Sequence, residues 1–270
     1  MGEGYFEINN TIILELIERI DSIQAETKNT RCVYYCLFGE YDDFKSLTCK
    51  LEENIDYYLI TDQSIDIPGI KTLKVDIKLQ SKRRANRFFK INPHIVFKPY
   101  KYSIYIDTNI NINAGMNRLF NMLENDQFIL FKHNKRNCVY KEIKECKRWK
   151  RDATKALNEQ QKKLKSKGIP DGFGLYLGAI LVRNHNQIKK FSESWWNNYQ
   201  NGSSRDQISL METVFDSDFH PKSIDFSEFN KFFSRKEHKE KDITEKNLNL
   251  FEIYQLKIMK TIHLLYRCIK

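Results

Sequence analysis

The sequence predicts an α/β protein, a three-layer α/β/α sandwich around a mainly parallel central sheet. Three observations predict it. Apolar runs of strand length alternate with segments of helical spacing along most of the chain. The run at residues 31–38 is apolar almost throughout, as a strand buried on both faces must be. The run at 102–106 ends abruptly in an acid, and ligands of such sheets bind beyond the carboxyl ends of the strands.

The elements follow in order. Ile12, Ile13, Leu16, Ile17 and Ile20 recur at helical spacing, so a first helix spans about residues 10–22 with Asn10 as N-cap. Strands are expected at 31–38, 55–61 and 70–75. Residues 81–92 suit a helix that Pro93 stops. Strands at 102–106 and 128–131 come next. The lysine- and glutamine-rich segment 148–167 reads as one exposed helix closed by Gly168 and Pro170. A strand at 176–183 and helices at 187–199 and 205–215 complete the core, the last capped by Ser203 or Ser204. Residues 234–247 are a charged run. Residues 248–270 are expected to form an apolar helix, with Phe251, Tyr254, Ile258 and Ile262 edged by Lys257, Lys260 and Arg267. The expected organisation is a domain over 1–233, then a charged linker and C-terminal amphipathic helix over 234–270. That helix packs on the domain, joins a homodimer or rests on anionic lipid.

Composition narrows the class. A chain of 270 residues suits one large domain. Folding at that size buries roughly 75% of the unfolded surface, so no covalent staple is needed. The net charge of +10 suits a phosphate-bearing partner, and it equally suits lysine-rich solvated helices. Six cysteines without a C-x-x-C pair read as free thiols in a reducing compartment. No basic, apolar leader opens the sequence, and no apolar run reaches about 18 residues. The expectation is a cytoplasmic protein, peripheral at most to the inner face of a membrane. The 18 phenylalanines and 14 tyrosines sit mostly inside apolar runs, where they read as core, and no RNA-binding motif appears. No nucleic-acid partner is expected.

Four segments could carry chemistry. At the end of YSIYIDTN (102–109), Asp107 and Asn109 can turn toward one pocket as hard oxygen ligands for Mg²⁺ or Mn²⁺; an ordinary Asx turn has the same spelling. In the 81–90 segment, Arg83 and Arg87 share a helix face, with Arg84 and Lys90 nearby. Guanidinium forks there match phosphate geometry, or the face is merely solvated. Arg205, Asp206 and Gln207 open a helix. An acid there suits the helix dipole, or it is presented together with the amide to a sugar. His133 and Arg136 follow a strand and serve either structure or chemistry.

Taken together, these segments resemble a known family. The stretches are VYYCLFGEYD (33–42), YYLITD (57–62), RRANRFFKINPH (83–94), YSIYIDTN (102–109), KHNKR (132–136), CVYKE (138–142), GIP (168–170), GL (174–175), WW (195–196) and RDQIS (205–209). In this order, over about residues 31–215, they resemble a glycosyltransferase-like family long catalogued as a domain of unknown function. It is shared by plant Golgi proteins of mucilage and cell-wall polysaccharide and by bacterial polysaccharide-locus proteins. The resemblance implies a GT-A fold. It implies that Phe38, Gly39 and Tyr41 border the nucleotide base, that Asp62 binds base or ribose, and that Arg83 and Arg87 face the diphosphate. Asp107 and Asn109 would stand where related enzymes carry D-x-D and hold Mn²⁺ or Mg²⁺, with His220 or His238 as a further ligand. Asp206 and Gln207 would lie under the donor sugar, with His133 and Arg136 lining the same cleft. The implied activity is sugar transfer from a nucleotide sugar, a UDP-sugar as the first expectation, to a saccharide or lipid-linked acceptor in surface polysaccharide synthesis. The alternatives are a non-catalytic or hydrolytic relative of the same fold, or a basic nucleic-acid-binding protein.

Overall fold

The structure, a computed structural model, describes residues 9–39, 44, 47, 49–77, 82–123 and 128–236. Tyr41, His238 and the helix expected over 248–270 lie outside the described residues. Helix α1 (Asn10–Thr27) leads into β1 (Arg31–Leu37), β2 (Asp56–Thr61) and β3 (Lys71–Lys74). Then come α2 (Lys82–Ile91), the single turn α3 (Pro93–Val96), β4 (Tyr102–Ile106), β5 (Ile110–Ile112), α4 (Met116–Asn121) and β6 (Phe128–Lys132). The rest carries α5 (Val139–Arg148), α6 (Thr154–Ser166), β7 (Tyr176–Asn184), α7 (His185–Gln200), α8 (Asp206–Asp216), β8 (Lys222–Ile224), α9 (Phe229–Phe232) and β9 (Phe233–Arg235).

One seven-stranded sheet has the order β3-β2-β1-β4-β7-β6-β8, and β5 pairs with β9 in a separate ribbon. Within the large sheet every strand shares one direction except β7, which runs antiparallel to β4 and β6. β1 shows why the expected mainly parallel sheet forms. Cys32, Tyr34 and Cys36 enter the core under α1, α2, α7 and α8. Val33, Tyr35 and Leu37 enter the opposite core, with α4 and α9. Both faces are covered, so apolar residues are required at every position. Each fully buried large side chain contributes about 1.5–3 kcal/mol. A smaller cluster containing Val139, Leu157 and Met211 joins α5 and α6 to α8.

Several boundaries differ from expectation. Asn9, not Asn10, caps α1, its Oδ1 accepting from Thr11 N at 2.9 Å. The single helix expected over 148–167 is the end of α5 followed by a separate α6. Lys150 takes a φ of 46°, and Arg151 N donates to Cys146 O at 2.9 Å, which closes α5. Arg205 occupies the N-cap position of α8, in place of Ser203 or Ser204. The domain boundary drawn after Phe233 falls inside β9, which is paired with β5, and Lys236 N donates to Asn109 O at 2.8 Å. The first domain therefore extends at least to Lys236. Among the described residues no helix is long and apolar enough to cross a membrane, and Cys32, Cys36, Cys49, Cys138 and Cys146 are free thiols.

Candidate functional site

The sheet order places the site. From β1 the chain steps outward to β2 and β3, then returns to β4 on the other side of β1. Such a reversal opens a crevice beyond the carboxyl ends of the two strands. Phe38 and Gly39 follow β1, Asp62 follows β2 and Asp107 follows β4, so all reach this end of the sheet.

The first two segments are tied together. Gly39 N donates to Asp62 Oδ1 at 2.8 Å, and Lys82 Nζ lies 2.8 Å from Asp62 Oδ2. Gln63 Nε2 donates to Gly39 O. Gly39 has a φ of 70°, and a Cβ there would come within 3.0 Å of Lys82 Cδ, so glycine suits both the turn and the close approach. Phe38 departs from expectation. Its ring is buried and stacks on Phe89 of α2, with centroids 5.8 Å apart, in the core rather than open to a base.

Arg83, Arg87 and Lys90 lie along one face of α2, and that face meets the start of α8. Arg83 Nη1 donates to Ser204 Oγ at 2.8 Å. Arg87 Nε sits 3.0 Å from Asp206 Oδ1, and Lys90 Nζ 2.6 Å from Asp206 Oδ2. Burial alone would raise the Asp206 carboxyl. Arg87, Lys90 and Arg205 outweigh it and hold the group well below the usual carboxylate range. Burial likewise opposes the charge on Arg87, and Asp206 more than restores it. Trp195 fixes the helix start, its Nε1 donating to Asp206 O at 3.0 Å and Ser209 Oγ at 3.1 Å. Gln207 Nε2 donates to Tyr176 O at 2.5 Å.

Lys90 also links to Asp107, whose Oδ1 is 3.7 Å from Nζ and accepts from Tyr105 OH at 2.7 Å. Burial, then Asp107, pushes the Tyr105 phenol up. Residues 107–110 form a turn closed by Ile110 N donating to Asp107 O at 2.9 Å. That turn is clasped by β9: Arg235 pairs with Ile110, and its charge acts on both Asp107 and His133. Among the described residues no three His, Cys, Asp or Glu side chains group as a metal cage. The donor set still fits a divalent cation. Asp107, 32% exposed, offers a carboxylate and Asn109 a carboxamide, and Mg²⁺-type ions are commonly held by one or two carboxylates plus substrate phosphates. His220 does not join them. It is exposed and precedes β8, which runs parallel to β6 at the sheet's far edge, so it sits at the amino end of a strand, away from Asp107.

His133 and Arg136 follow β6, at the same end of the sheet as Asp107, and are committed to each other. His133 Nδ1 accepts from the backbone N–H groups of Lys135 and Arg136 at 3.0 and 3.1 Å, and Arg136 Nη2 lies 3.2 Å from Nε2. Burial, then Arg136, pushes the imidazole down to about 4, so it is neutral at pH 7. Arg136 Nε donates to the buried Glu142 at 2.7 Å, and Glu142 lies 4.0 Å from Arg205 beside Asp206. An open hollow of about 490 Å³, lined in part by Lys28, Arg31, Asn54 and Asn117, lies at the amino ends of β1 and β2, the opposite end from this chemistry. Its Arg31 is bonded to Asn117 and Asn121.

Tyr105 and Arg235 were not among the expected site residues, and Lys90 was expected only as added charge beside Arg83 and Arg87. Lys90 carries a sequence signal, since 83, 87 and 90 follow the i, i+4, i+7 spacing of one helix face. Arg235 carries none, because its position depends on a three-residue strand paired far across the chain.

Comparison with curated proteins finds no match. Among solved structures, the apo structure of WbbM, a bifunctional glycosyltransferase, is similar at 12% identity and a TM-score of 0.44, over 69% of this chain and 37% of that one. The chain thus spans little more than a third of that protein's length. The profile described as "TOD1/MUCI70, glycosyltransferase-like domain" matches residues 62–238, from Asp62 through the α2 face, the Asp107 turn and Asp206 to beyond β9. A match over more than half of the chain makes the protein a member of the TOD1/MUCI70 glycosyltransferase-like family.

Proposed function

We propose that the chain moves a sugar from a nucleoside-diphosphate donor, a UDP-sugar in the first instance, to a saccharide or lipid-linked acceptor hydroxyl in surface polysaccharide synthesis. The observation that carries this reading is the convergence of Arg87, Lys90, Asp107 and Asp206 beside the β1/β4 crevice. In such a transfer the bond from the anomeric carbon to the diphosphate breaks, and the diphosphate leaves with the electron pair. The acceptor oxygen forms the new bond and its proton passes to solvent or a nearby base. Arg83 and Arg87 would neutralise charge growing on the leaving diphosphate. A divalent cation held by Asp107 and Asn109 would supply Lewis-acid charge there when bound.

Asp206 is ionised and is a weak base, because Arg87, Lys90 and Arg205 stabilise its charged form. That favours a role in orienting hydroxyls or stabilising positive charge at the anomeric carbon over proton abstraction. His133, neutral and half-buried, would line the acceptor side with Arg136. Thermal-shift measurements with a panel of nucleotide sugars, with and without Mn²⁺, test the reading. A ligand at 100 times its dissociation constant stabilises by about 2.7 kcal/mol. Stabilisation by one nucleotide sugar, followed by its turnover with an acceptor, is expected. No response to any nucleotide or nucleotide sugar would remove the proposal.

A further inference from the structure

Arg87 already holds a carboxylate where the reading above needs it to hold a diphosphate. Its Nε is paired with Asp206 Oδ1 at 3.0 Å, and the other oxygen of the same carboxylate is paired with Lys90 at 2.6 Å. Resting on the transferase reading above, we propose that Asp206 is an internal competitor for the donor diphosphate. It holds Arg87 in the donor-free protein, and donor binding exchanges Oδ1 for phosphate at Arg87 while Lys90 keeps Oδ2.

Exposure decides which cation exchanges. The Arg87 side chain is 20% exposed and within reach of a ligand in the crevice; the Lys90 side chain is 2% exposed and is not. Stripping a buried carboxylate of all its partners is strongly unfavourable, which would block exchange if Arg87 were its sole cation. Lys90 removes that obstacle. It stands between Asp206 and Asp107 and over the Tyr105 ring, 5.1 Å from its centroid. Gly178 of β7 flanks the pair: a Cβ there would lie 3.5 Å from both Lys90 Nζ and Asp206 Oδ2. Lys90 is thus a positioning residue that keeps Asp206 charged and in place through the exchange. Oδ1 is unmasked only when a diphosphate is seated, which is when the donor sugar lies beside it. The empty protein offers a neutralised acid instead.

The test measures affinity for inorganic pyrophosphate and UDP by calorimetry on the full chain. A competitor that holds Arg87 nine-tenths of the time lowers apparent affinity about tenfold. Asp206→Asn is therefore expected to bind pyrophosphate about tenfold more tightly than wild type, a direction that mere loss of structure would not produce. In an Arg87→Ala background the gain should vanish, because nothing remains to be released. Lys90→Met should weaken binding by leaving Arg87 as the one cation paired directly with the Asp206 carboxylate oxygens, and adding Asp206→Asn should restore it. Equal or weaker binding by Asp206→Asn overturns the exchange, and so does a gain that persists undiminished without Arg87, which would be a general field effect. Should these variants fail to fold, the wild-type Arg87 Nε–H resonance decides. It should move on saturation with pyrophosphate, and an unchanged signal overturns the proposal. If wild type binds neither UDP nor pyrophosphate, the transferase reading falls as well; if it binds and only the signs are wrong, the exchange alone falls.

Discussion

Truncating Asp107 separates holding a cation from holding the fold. Tyr105 is 1% exposed, and its hydroxyl donates to Asp107 Oδ1 at 2.7 Å. Asp107→Ala orphans that hydroxyl, which costs about 1–3 kcal/mol. The lower part of that range applies, because the Asp107 side chain is 32% exposed and its place admits water. For a domain of this size about 1 kcal/mol corresponds to roughly 2–4 °C in Tm. Asp107→Asn keeps an acceptor oxygen for Tyr105, so its Tm should stay near wild type. Adding Tyr105→Phe to Asp107→Ala removes both partners and should recover most of the loss. In thermal-shift assays with UDP, Mn²⁺ should add stability to wild type and to neither Asp107 variant. A Mn²⁺-dependent shift retained by Asp107→Ala would refute the metal assignment. Equal destabilisation of the Asn and Ala variants would refute the hydrogen-bond account.

Arg87→Ala should slow transfer by about 10²-fold or more, since removing one donor from developing charge typically costs about 2.7–4 kcal/mol; a rate within a factor of three of wild type would make Arg87 a bystander. Trp195→Phe keeps most of a 1%-exposed apolar contact and loses the indole hydrogen bonds to Asp206 O and Ser209 Oγ. It should lower stability to urea by about 1–2 kcal/mol and reduce turnover more than donor binding, whereas no change in either would leave the indole N–H without a role. Burial pushes His133 and His94 down to about 4 and His185 to about 3, with Arg136 depressing the first and Arg183 the other two. The unfolded chain then binds more protons than the fold below its ordinary value near 6.5, so this stability is complete above about pH 6.5 and is lost as pH falls toward 4. Urea unfolding should give nearly equal midpoints at pH 7 and 8 and a loss on the order of a few kcal/mol by pH 5; an unchanged midpoint at pH 5 would contradict the neutral state of these imidazoles in the fold.

The parts legible in the sequence are those with local causes. The strand ending at Asp107 shows as an apolar run cut by an acid. Arg83 and Arg87 show as neighbours on one helix face, and Asp206 shows as an acid at a helix start. The structure brings the last two features together through Arg87. What was not legible depends on distance or on silent backbone. Phe38 at a strand end spells base stacking and core packing equally, and only the placement of Phe89 decides for the core. His220 looks like a late metal ligand until the direction of the three-residue β8 puts it at the wrong end of the sheet. The break between α5 and α6 uses Lys150 at positive φ, with no glycine or proline to announce it.

The one reversed strand has a consequence for length. Because β7 opposes its neighbours, its amino end meets the crevice and its carboxyl end lies at the opposite rim, where His185 N donates to Lys101 O at 2.9 Å. The chain must travel back before it can present Asp206 to Arg87. Helix α7 makes that journey in 16 residues, about 24 Å at 1.5 Å per residue. It is a measuring rod whose span sets where the acid arrives. Removing or adding one turn would slide Asp206 by about 5.4 Å, out of reach of Arg87 and Lys90, although every residue of the crevice itself would be unaltered.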